Sequence, residues 1–213
     1  MFGAAVLSLA ISRGHEIAGV CSPAFASDGI RPDRLRSSAE LARVPWMEEG
    51  QLSAATLPIG VDLIIAAHSH RYIGRPTRLR ARLGAVGYHP SLLPLHRGRD
   101  AVRWALHMGE KVTGGTVYWL ADGVDDGDIA AQGHVLIRPG ERAEDLWQRA
   151  LFPIGLKLFD RVLGDLESGI LVRVPQDHLL ATWEPARDRQ PIHRPELPQL
   201  GEIDGFNVVR RVV

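Results

Sequence analysis

Two side chains of this chain, His89 and Asp125, are of the types that move protons, and both stand where a predicted strand gives way to a loop. His89 closes the apolar run 85–89, and Asp125 lies in an acidic, glycine-rich loop after the predicted strand 114–120. An imidazole and a carboxylate held close together can take a proton from one group and deliver it to another. Either residue alone is an ordinary strand-end histidine or turn aspartate, and Asp125 is one of several acids in its loop, so the place of each residue within a longer motif decides the interpretation.

Positioning these residues requires strands that alternate with helices. Apolar runs and alternating patterns predict strands at residues 16–21, 61–67, 85–89, 114–120 and 129–137. Helical spacing and end signals predict helices at residues 2–12, 34–43, 75–82, 100–108 and 141–168, the last kinked at Pro153. This order predicts an α/β domain with a mostly parallel, doubly wound (Rossmann-like) sheet. Ligands of such sheets bind outside the carboxyl ends of the strands, where His89 lies and where Asp125 also lies if the sheet is parallel there.

The two ends of the chain depart from this pattern. A doubly wound domain normally opens with a strand, whereas this chain opens at Met1 with a predicted helix. We therefore expect the first strand to be missing, and we favour a natural start upstream of Met1, because losing an interior strand leaves its neighbours' backbone groups unpaired. Residues 184–213 are rich in proline, arginine and charge and predict an extended tail after a catalytic domain at residues 1–183.

Composition narrows the classes of function. Lys plus Arg and Asp plus Glu each number 25, so neither nucleic acid nor an anionic membrane is an expected partner. The apolar stretches are too short to span a bilayer, and the single Cys21, interpreted as a buried hydrophobe, cannot form an internal disulfide. His68 and His70 alternate without a carboxylate partner, so no metal site is predicted. A cytoplasmic location and a small-molecule substrate are expected, and the sequence leaves open whether the protein forms a homodimer.

Two motifs give the site a family resemblance. Residues 87–94 read Gly-Tyr-His-Pro-Ser-Leu-Leu-Pro, and residues 122–128 read Asp-Gly-Val-Asp-Asp-Gly-Asp. Together they resemble the signature of the folate-dependent formyltransferases. The resemblance implies 10-formyltetrahydrofolate as formyl donor, with His89 donating to the oxyanion that forms on the formyl group. It also implies that Asp125 takes the proton from the nucleophile, directly or through an ordered water, and steers the imidazole.

The same resemblance implies a folate pocket on either side of this pair. The segment after the strand 61–67 runs along the pteridine, and the loop before Asp125 closes over it. Backbone groups bind the pteridine edge, while Arg71 either pairs with the glutamate tail or is a solvated surface arginine. The implied folate-binding residues are Arg71, Ile73, Ala121, Asp122, Gly123 and Val124.

One position departs from the family pattern and leaves the acceptor open. Most members carry an asparagine two residues before the histidine, where this chain has Gly87. The local match is closest to the hydrolase domain of 10-formyltetrahydrofolate dehydrogenase, which also lacks that asparagine and shares the motifs at residues 96–98 and 151–155. Because alternate strand residues face opposite sides, Tyr88 points away and cannot replace the amide. We predict an ordered water beside Gly87, in the polar space that the amide would fill.

Three hypotheses for the activity follow from the resemblance. The formyl group passes to water, or to a small amine, or the chain is a folate-binding module that has lost catalysis. The Gly-rich phosphate turn of the glycinamide ribonucleotide enzymes would lie before Met1, and the tRNA-binding domain of methionyl-tRNA formyltransferases would follow the chain. Both of those acceptors are therefore disfavoured, whereas the amine of a nucleotide sugar, or water, remains.

Overall fold

The computed structural model describes residues 1–25, 30, 33–69 and 71–184, and they form helices and strands in alternation. The helices are α1 (Phe2–Ser12), α2 (Arg34–Leu41), α3 (Arg75–Arg78), α4 (Ala101–His107), α5 (Ala143–Leu146) and α6 (Phe152–Glu167). The strands are β1 (Val20–Ser22), β2 (Trp46–Glu48), β3 (Leu63–Ala66), β4 (Gly84–His89), β5 (Val112–Trp119) and β6 (Ile129–Leu136). Short 3₁₀ turns lie at Glu49–Gln51 and His178–Leu180.

These strands form two sheets. β1 pairs with β2 in parallel, and β3, β4, β5 and β6 follow one another in a four-stranded sheet. β3 and β4 are parallel, whereas β5 runs antiparallel to β4 and β6 antiparallel to β5. The antiparallel pairing brings Gly87 opposite Tyr118 and His89 opposite Thr116. The end of β5 therefore lies beside the middle of β4, and the loop after β5 must fold back to reach His89.

The α/β class predicted from sequence is confirmed, with differences in detail. The sheet is not parallel where β5 joins it, so the condition under which His89 and Asp125 would share an edge of parallel strands is not met. β2 was not predicted, because three residues carry too little periodicity to be recognised. Within the described part of the chain, β1 and β3 belong to separate sheets. Helix α1 contributes side chains to two hydrophobic cores. Phe2 lies in the larger core, and Leu7 lies beside Val20 in the smaller core.

The predicted long helix at residues 141–168 contains a local change of winding. α5 passes into a π-helical turn, Trp147–Leu151, which is followed by α6 with Pro153 in its first turn. Proline has no N–H to donate, so the regular hydrogen-bond ladder cannot continue through it, and a π turn is one way to absorb the break. The Tyr88 hydroxyl donates to the Leu151 carbonyl at 2.7 Å. Tyr88 thus points into the core, away from the face of β4 that carries His89, as predicted.

None of the helices in the described part of the chain is long and apolar enough to cross a membrane. The predicted tail lies outside the described residues except for Glu184, whose side chain packs against His96 and is 7% exposed.

Candidate active site

His89 ends β4 with its imidazole almost wholly buried, at 6% exposure. Its Nε2 lies 2.7 Å from the backbone carbonyl of His96. A carbonyl oxygen can only accept a hydrogen bond, so Nε2 carries the ring proton and Nδ1 of the neutral ring keeps a free lone pair. Nδ1 faces the Asp125 carboxylate, with 3.5 Å between Nδ1 and Oδ2. Burial lowers the pKa of His89, although the nearby Asp125 charge acts in the opposite direction. The ring is therefore neutral at pH 7, and its Nδ1 accepts rather than donates.

Asp125 is held by donors on both of its oxygens. Oδ2 accepts a 2.8 Å hydrogen bond from the Gly98 N–H, and Oδ1 accepts one from the Tyr118 hydroxyl. The backbone at Asp125 has a φ of +52°, a left-handed conformation that aspartate tolerates better than most residues. This turn brings the loop back over the sheet toward His89. The structure thus brings together the two residues predicted to be catalytic.

The position that a side chain on Gly87 would take is crowded, whereas the residue itself lines a cavity, so the ordered water beside it stays a prediction. A Cβ at this position would lie 2.9 Å from Leu120 Cδ2 and 3.2 Å from a ring carbon of Tyr118. The cause is the antiparallel register, which places Tyr118 directly across from Gly87. A space filled only by apolar atoms is what a module without catalysis would show. Here, however, one of the two side chains that crowd this position, Tyr118, also brings a hydroxyl to Asp125.

A buried arginine and glutamine, neither of which was predicted, support the Asp125 loop. The Gln176 amide donates to the carbonyls of Asp125 at 2.9 Å and Gly127 at 2.7 Å. Its carbonyl accepts from the Arg97 guanidinium at 2.6 Å, and both side chains are buried. Gln176 lies 51 residues after Asp125, so no local pattern in the sequence could have linked them.

A cavity of about 1100 Å³ opens onto the His89–Asp125 pair. Five of the six predicted folate-binding residues line it: Arg71, Ile73, Ala121, Gly123 and Val124. The sixth, Asp122, is not a lining residue and is ion-paired with the buried Arg78 at 2.6 Å. Arg78 also donates to the carbonyl of Ile73 at 2.6 Å. Asp122 therefore fixes the loop at residues 121–124 against the segment at residues 71–73, so that the two walls keep their spacing.

The cavity is also lined by side chains that were not predicted. Trp147 and Gln148 reach it from the π-helical turn, and Arg99, Arg103 and Arg142 line it nearby. Trp183 lies against Gly98, whose Cβ, if present, would come 3.5 Å from the indole ring. An aromatic residue next to a glycine is not by itself a recognisable signal, which is why sequence reasoning missed it.

Metal ligands do not assemble in the residues that the structure describes, where no three His, Cys, Asp or Glu side chains group suitably. The His68 ring instead lies 4.9 Å from Trp147, centroid to centroid. His70, the second member of the pair considered from sequence, lies outside the described residues.

His96, whose carbonyl orients His89, forms a buried charged cluster. Its Nε2 lies 2.8 Å from Glu110 and its Nδ1 3.0 Å from Glu184. Burial alone would lower the pKa of His96, but the hydrogen bonds to Glu110 and Glu184 outweigh it and raise the pKa to about 9.

This raised pKa predicts a loss of stability in alkali. A group with a raised folded-state pKa stabilises the fold fully below its unfolded value near 6.5. That contribution, about 3 kcal/mol for such a shift, is lost as pH rises through about 9. Urea unfolding of the protein at pH 6, 7.5 and 9 should show the decline, and the His96→Gln variant should lack this part of it. If the free energy of unfolding fell equally with pH in both proteins, the stabilising role of the His96 ion cluster would be contradicted.

Comparison with known proteins gives consistent results. The family described as Formyl transferase matches residues 32–162. The mitochondrial 10-formyltetrahydrofolate dehydrogenase of Mus musculus is 32% identical over 194 residues, covering 86% of this chain and 21% of that protein. The methionyl-tRNA formyltransferase of Koribacter versatilis is 32% identical over 180 residues, covering 83% of this chain and 54% of that protein. The crystal structure of glycinamide ribonucleotide transformylase 1 from Symbiobacterium toebii superposes with a TM-score of 0.68 at 26% identity, covering 82% of this chain and 89% of that one.

The chain spans about a fifth of the length of the dehydrogenases that it matches. The similarity therefore concerns one region of those larger proteins.

Proposed function

This chain belongs to the formyl transferase family, and we propose that it removes the formyl group of 10-formyltetrahydrofolate and passes it to water, releasing formate. The observation that carries the proposal is the pair of proton acceptors facing one another in the cavity. His89 Nδ1 and Asp125 Oδ2 lie 3.5 Å apart, and at neutral pH neither carries a hydrogen toward the other. A water that sits beside the pair on the cavity side, within reach of both atoms, can direct one hydrogen at each acceptor, which aligns its lone pair for attack.

His89 has two tasks in this reaction. First, Nδ1 accepts a proton from the water as the water oxygen bonds to the formyl carbon. The ring is then an imidazolium, whose charge the adjacent carboxylate stabilises, and its Nδ1–H can donate to the negative formyl oxygen. Oxyanion donation by His89, which the family resemblance implied, thus requires the protonated ring. The proton next passes to the folate nitrogen as the carbon–nitrogen bond breaks, which releases tetrahydrofolate and formic acid. The acid then gives its remaining proton to Asp125 or to solvent and leaves as formate.

The donor would be held mainly by the wall that contains Ile73 and the loop at residues 121–124. A glycine and an alanine in that loop leave backbone amides and carbonyls accessible to a flat ring with polar edges. Arg71, exposed at the same end of the cavity, would meet the negatively charged glutamate tail. The names of the matched relatives support a folate donor, since the dehydrogenases are named for 10-formyltetrahydrofolate.

A second candidate is transfer to a small amine that carries a negative charge. It is favoured by three arginines that line the cavity, Arg99, Arg103 and Arg142, because their positive charge suits an anionic group. The same acceptor pair would take a proton from the amine nitrogen. The two candidates differ only in which nucleophile occupies the space beside His89.

Incubating the purified protein with 10-formyltetrahydrofolate alone separates them. We expect formate and tetrahydrofolate to appear in equal amounts, over many turnovers, faster than in donor solution without protein. The donor's absorbance change and an enzymatic formate assay measure the two products independently. If the donor stays intact until an amine is added, the hydrolysis proposal is wrong and amine transfer takes its place. If folate binds tightly but is not consumed under either condition, the chain is a non-catalytic module.

A further inference from the structure

Tyr118 and Leu120 share the space that a side chain at position 87 would fill. Gly87 and Tyr118 face each other across β4 and β5, and a Cβ on Gly87 would come 3.2 Å from Tyr118 Cε1 and 3.4 Å from Cζ. The same Cβ would come 2.9 Å from Cδ2 of Leu120. The ring therefore packs against the bare backbone of Gly87. Any residue other than glycine would force Leu120 to move and would push the ring, which is anchored on an interior strand, by a few tenths of an ångström.

The hydroxyl of this ring reaches the acid–base pair. It donates to Oδ1 of Asp125, while the Gly98 N–H donates to Oδ2, the oxygen that faces His89. With each oxygen assigned a donor, the carboxylate cannot rotate without losing a hydrogen bond. Burial, reinforced by the Asp125 charge, raises the pKa of Tyr118, so the phenol stays protonated and acts as a permanent donor.

We propose that Tyr118 is a positioning residue for the acid–base pair, and that Gly87 is required because it gives the tyrosine ring its place. The hydroxyl fixes the plane of the Asp125 carboxylate and engages part of its negative charge. The effect on turnover rests on the proposed function, whereas the effect on the His89–Asp125 pair does not.

Removing the hydroxyl has a defined electrostatic consequence. Without its donor on Oδ1, the carboxylate directs more of its charge at His89, and a stronger negative neighbour raises the pKa of a histidine. The other charged groups around His89, namely His96 and Glu184, do not contact Tyr118 and are unchanged. The ring of His89 should therefore keep its proton to higher pH, and the acid limb of the pH–rate profile should move in the same direction.

The Tyr118→Phe variant tests this, because it keeps the ring and removes only the oxygen. We expect kcat to fall about tenfold, with little change in the KM for the formyl donor, because one charge-assisted hydrogen bond is lost. We expect the acid limb to move upward by roughly one pH unit. The matched control is Tyr88→Phe, which also removes a buried tyrosine hydroxyl from a hydrogen bond but at a backbone carbonyl far from Asp125. It should lose stability without moving the acid limb.

A measurement on the protein without substrate separates this inference from the proposed function. The protonation of His89, followed by its ring ¹⁵N resonances between pH 4 and 8, should move upward in Tyr118→Phe and stay in place in Tyr88→Phe. If the wild-type protein consumes no donor, the proposed function fails, and the ¹⁵N titration still decides the role of Tyr118. An unchanged titration in Tyr118→Phe would overturn that role.

Gly87→Ala tests the second half of the proposal. The added methyl group should displace Leu120, push the tyrosine ring away from Asp125 and shift the His89 titration in the same direction as Tyr118→Phe. Gly50→Ala is the control, because a Cβ there meets nothing within 4 Å and its backbone φ is not positive. A Gly87→Ala protein with the wild-type titration would show that the ring does not need the glycine.

Discussion

Replacing Asp125 with asparagine is expected to lower the rate of formate release by about 10²–10⁴-fold, the range usual for losing a positioned acid–base group. Asparagine has nearly the shape of aspartate, so the loss would come from chemistry rather than from an empty space. Both oxygens of Asp125 accept hydrogen bonds, from Tyr118 and from Gly98. An amide nitrogen cannot accept, so one of these donors would face another donor. The negative charge that stabilises protonated His89 would also disappear.

The measurement is single-turnover formate release, together with calorimetric binding of tetrahydrofolate. Binding should change far less than turnover, because the walls at residues 71–73 and 121–124 remain. Asp128→Asn is the matched control, since Asp128 lies in the same loop, is partly exposed, and its side chain forms a distant ion pair with Arg173 at 3.8 Å. Equal losses of binding and turnover in Asp125→Asn would indicate that this residue supports the loop and takes no part in the chemistry.

The part of the site that follows from sequence is the part carried by contiguous motifs. His89 and the cavity wall were predicted from the family resemblance, through the motif at residues 87–94 and through short segments on either side of the pair. The structure places these residues around one cavity. Sequence motifs are sufficient to predict these residues, because each motif lies within one short segment. The fold only has to bring the segments together.

The part that sequence could not supply depends on strand direction. Alternation along β5 predicts a strand and its two faces, but it is the same for parallel and antiparallel neighbours. Only the antiparallel register puts Tyr118 across from Gly87. Without that register, the tyrosine ring that crowds the side-chain position of Gly87 could not be foreseen. A replacement for the missing amide was sought along β4, at Tyr88, whereas the hydroxyl that reaches Asp125 comes from the neighbouring strand β5.

The contacts between residues far apart in the chain that support the site could not be predicted from the sequence either. The Arg97–Gln176 pair and the His96–Glu184 contact join residues separated by 79 and 88 positions, counted from their residue numbers. Buried polar groups of this kind are satisfied only by the finished fold, and neither partner is unusual in its own sequence context. These contacts hold the Asp125 loop and His96, whose backbone carbonyl is hydrogen-bonded to His89. The positions of the two proposed catalytic side chains therefore depend on residues that no local sequence pattern reveals.

His89→Ala is expected to lower turnover by about 10²–10⁴-fold as well, because it removes the base and the later donor in one change. The imidazole is buried, and its loss leaves the His96 carbonyl without its 2.7 Å hydrogen bond. Some stability should therefore be lost, which the urea midpoint would report separately from activity. Because the cavity opens beside His89, added imidazole should restore part of the rate, whereas a purely structural role would not respond to it.

Combining His89→Ala with Asp125→Asn gives the sharper result. If the two side chains share one proton path, removing the second after the first costs little, and the double variant should be nearly as active as the slower single variant. Independent roles would instead multiply the two losses. The 3.5 Å separation between His89 Nδ1 and Asp125 Oδ2 favours the shared path, because a single nucleophile between them contacts both. The two outcomes are distinguished by single-turnover rates of the wild-type protein, the two single variants and the double variant, each with a saturating amount of 10-formyltetrahydrofolate. If the two losses multiply in full, His89 and Asp125 do not act as a pair.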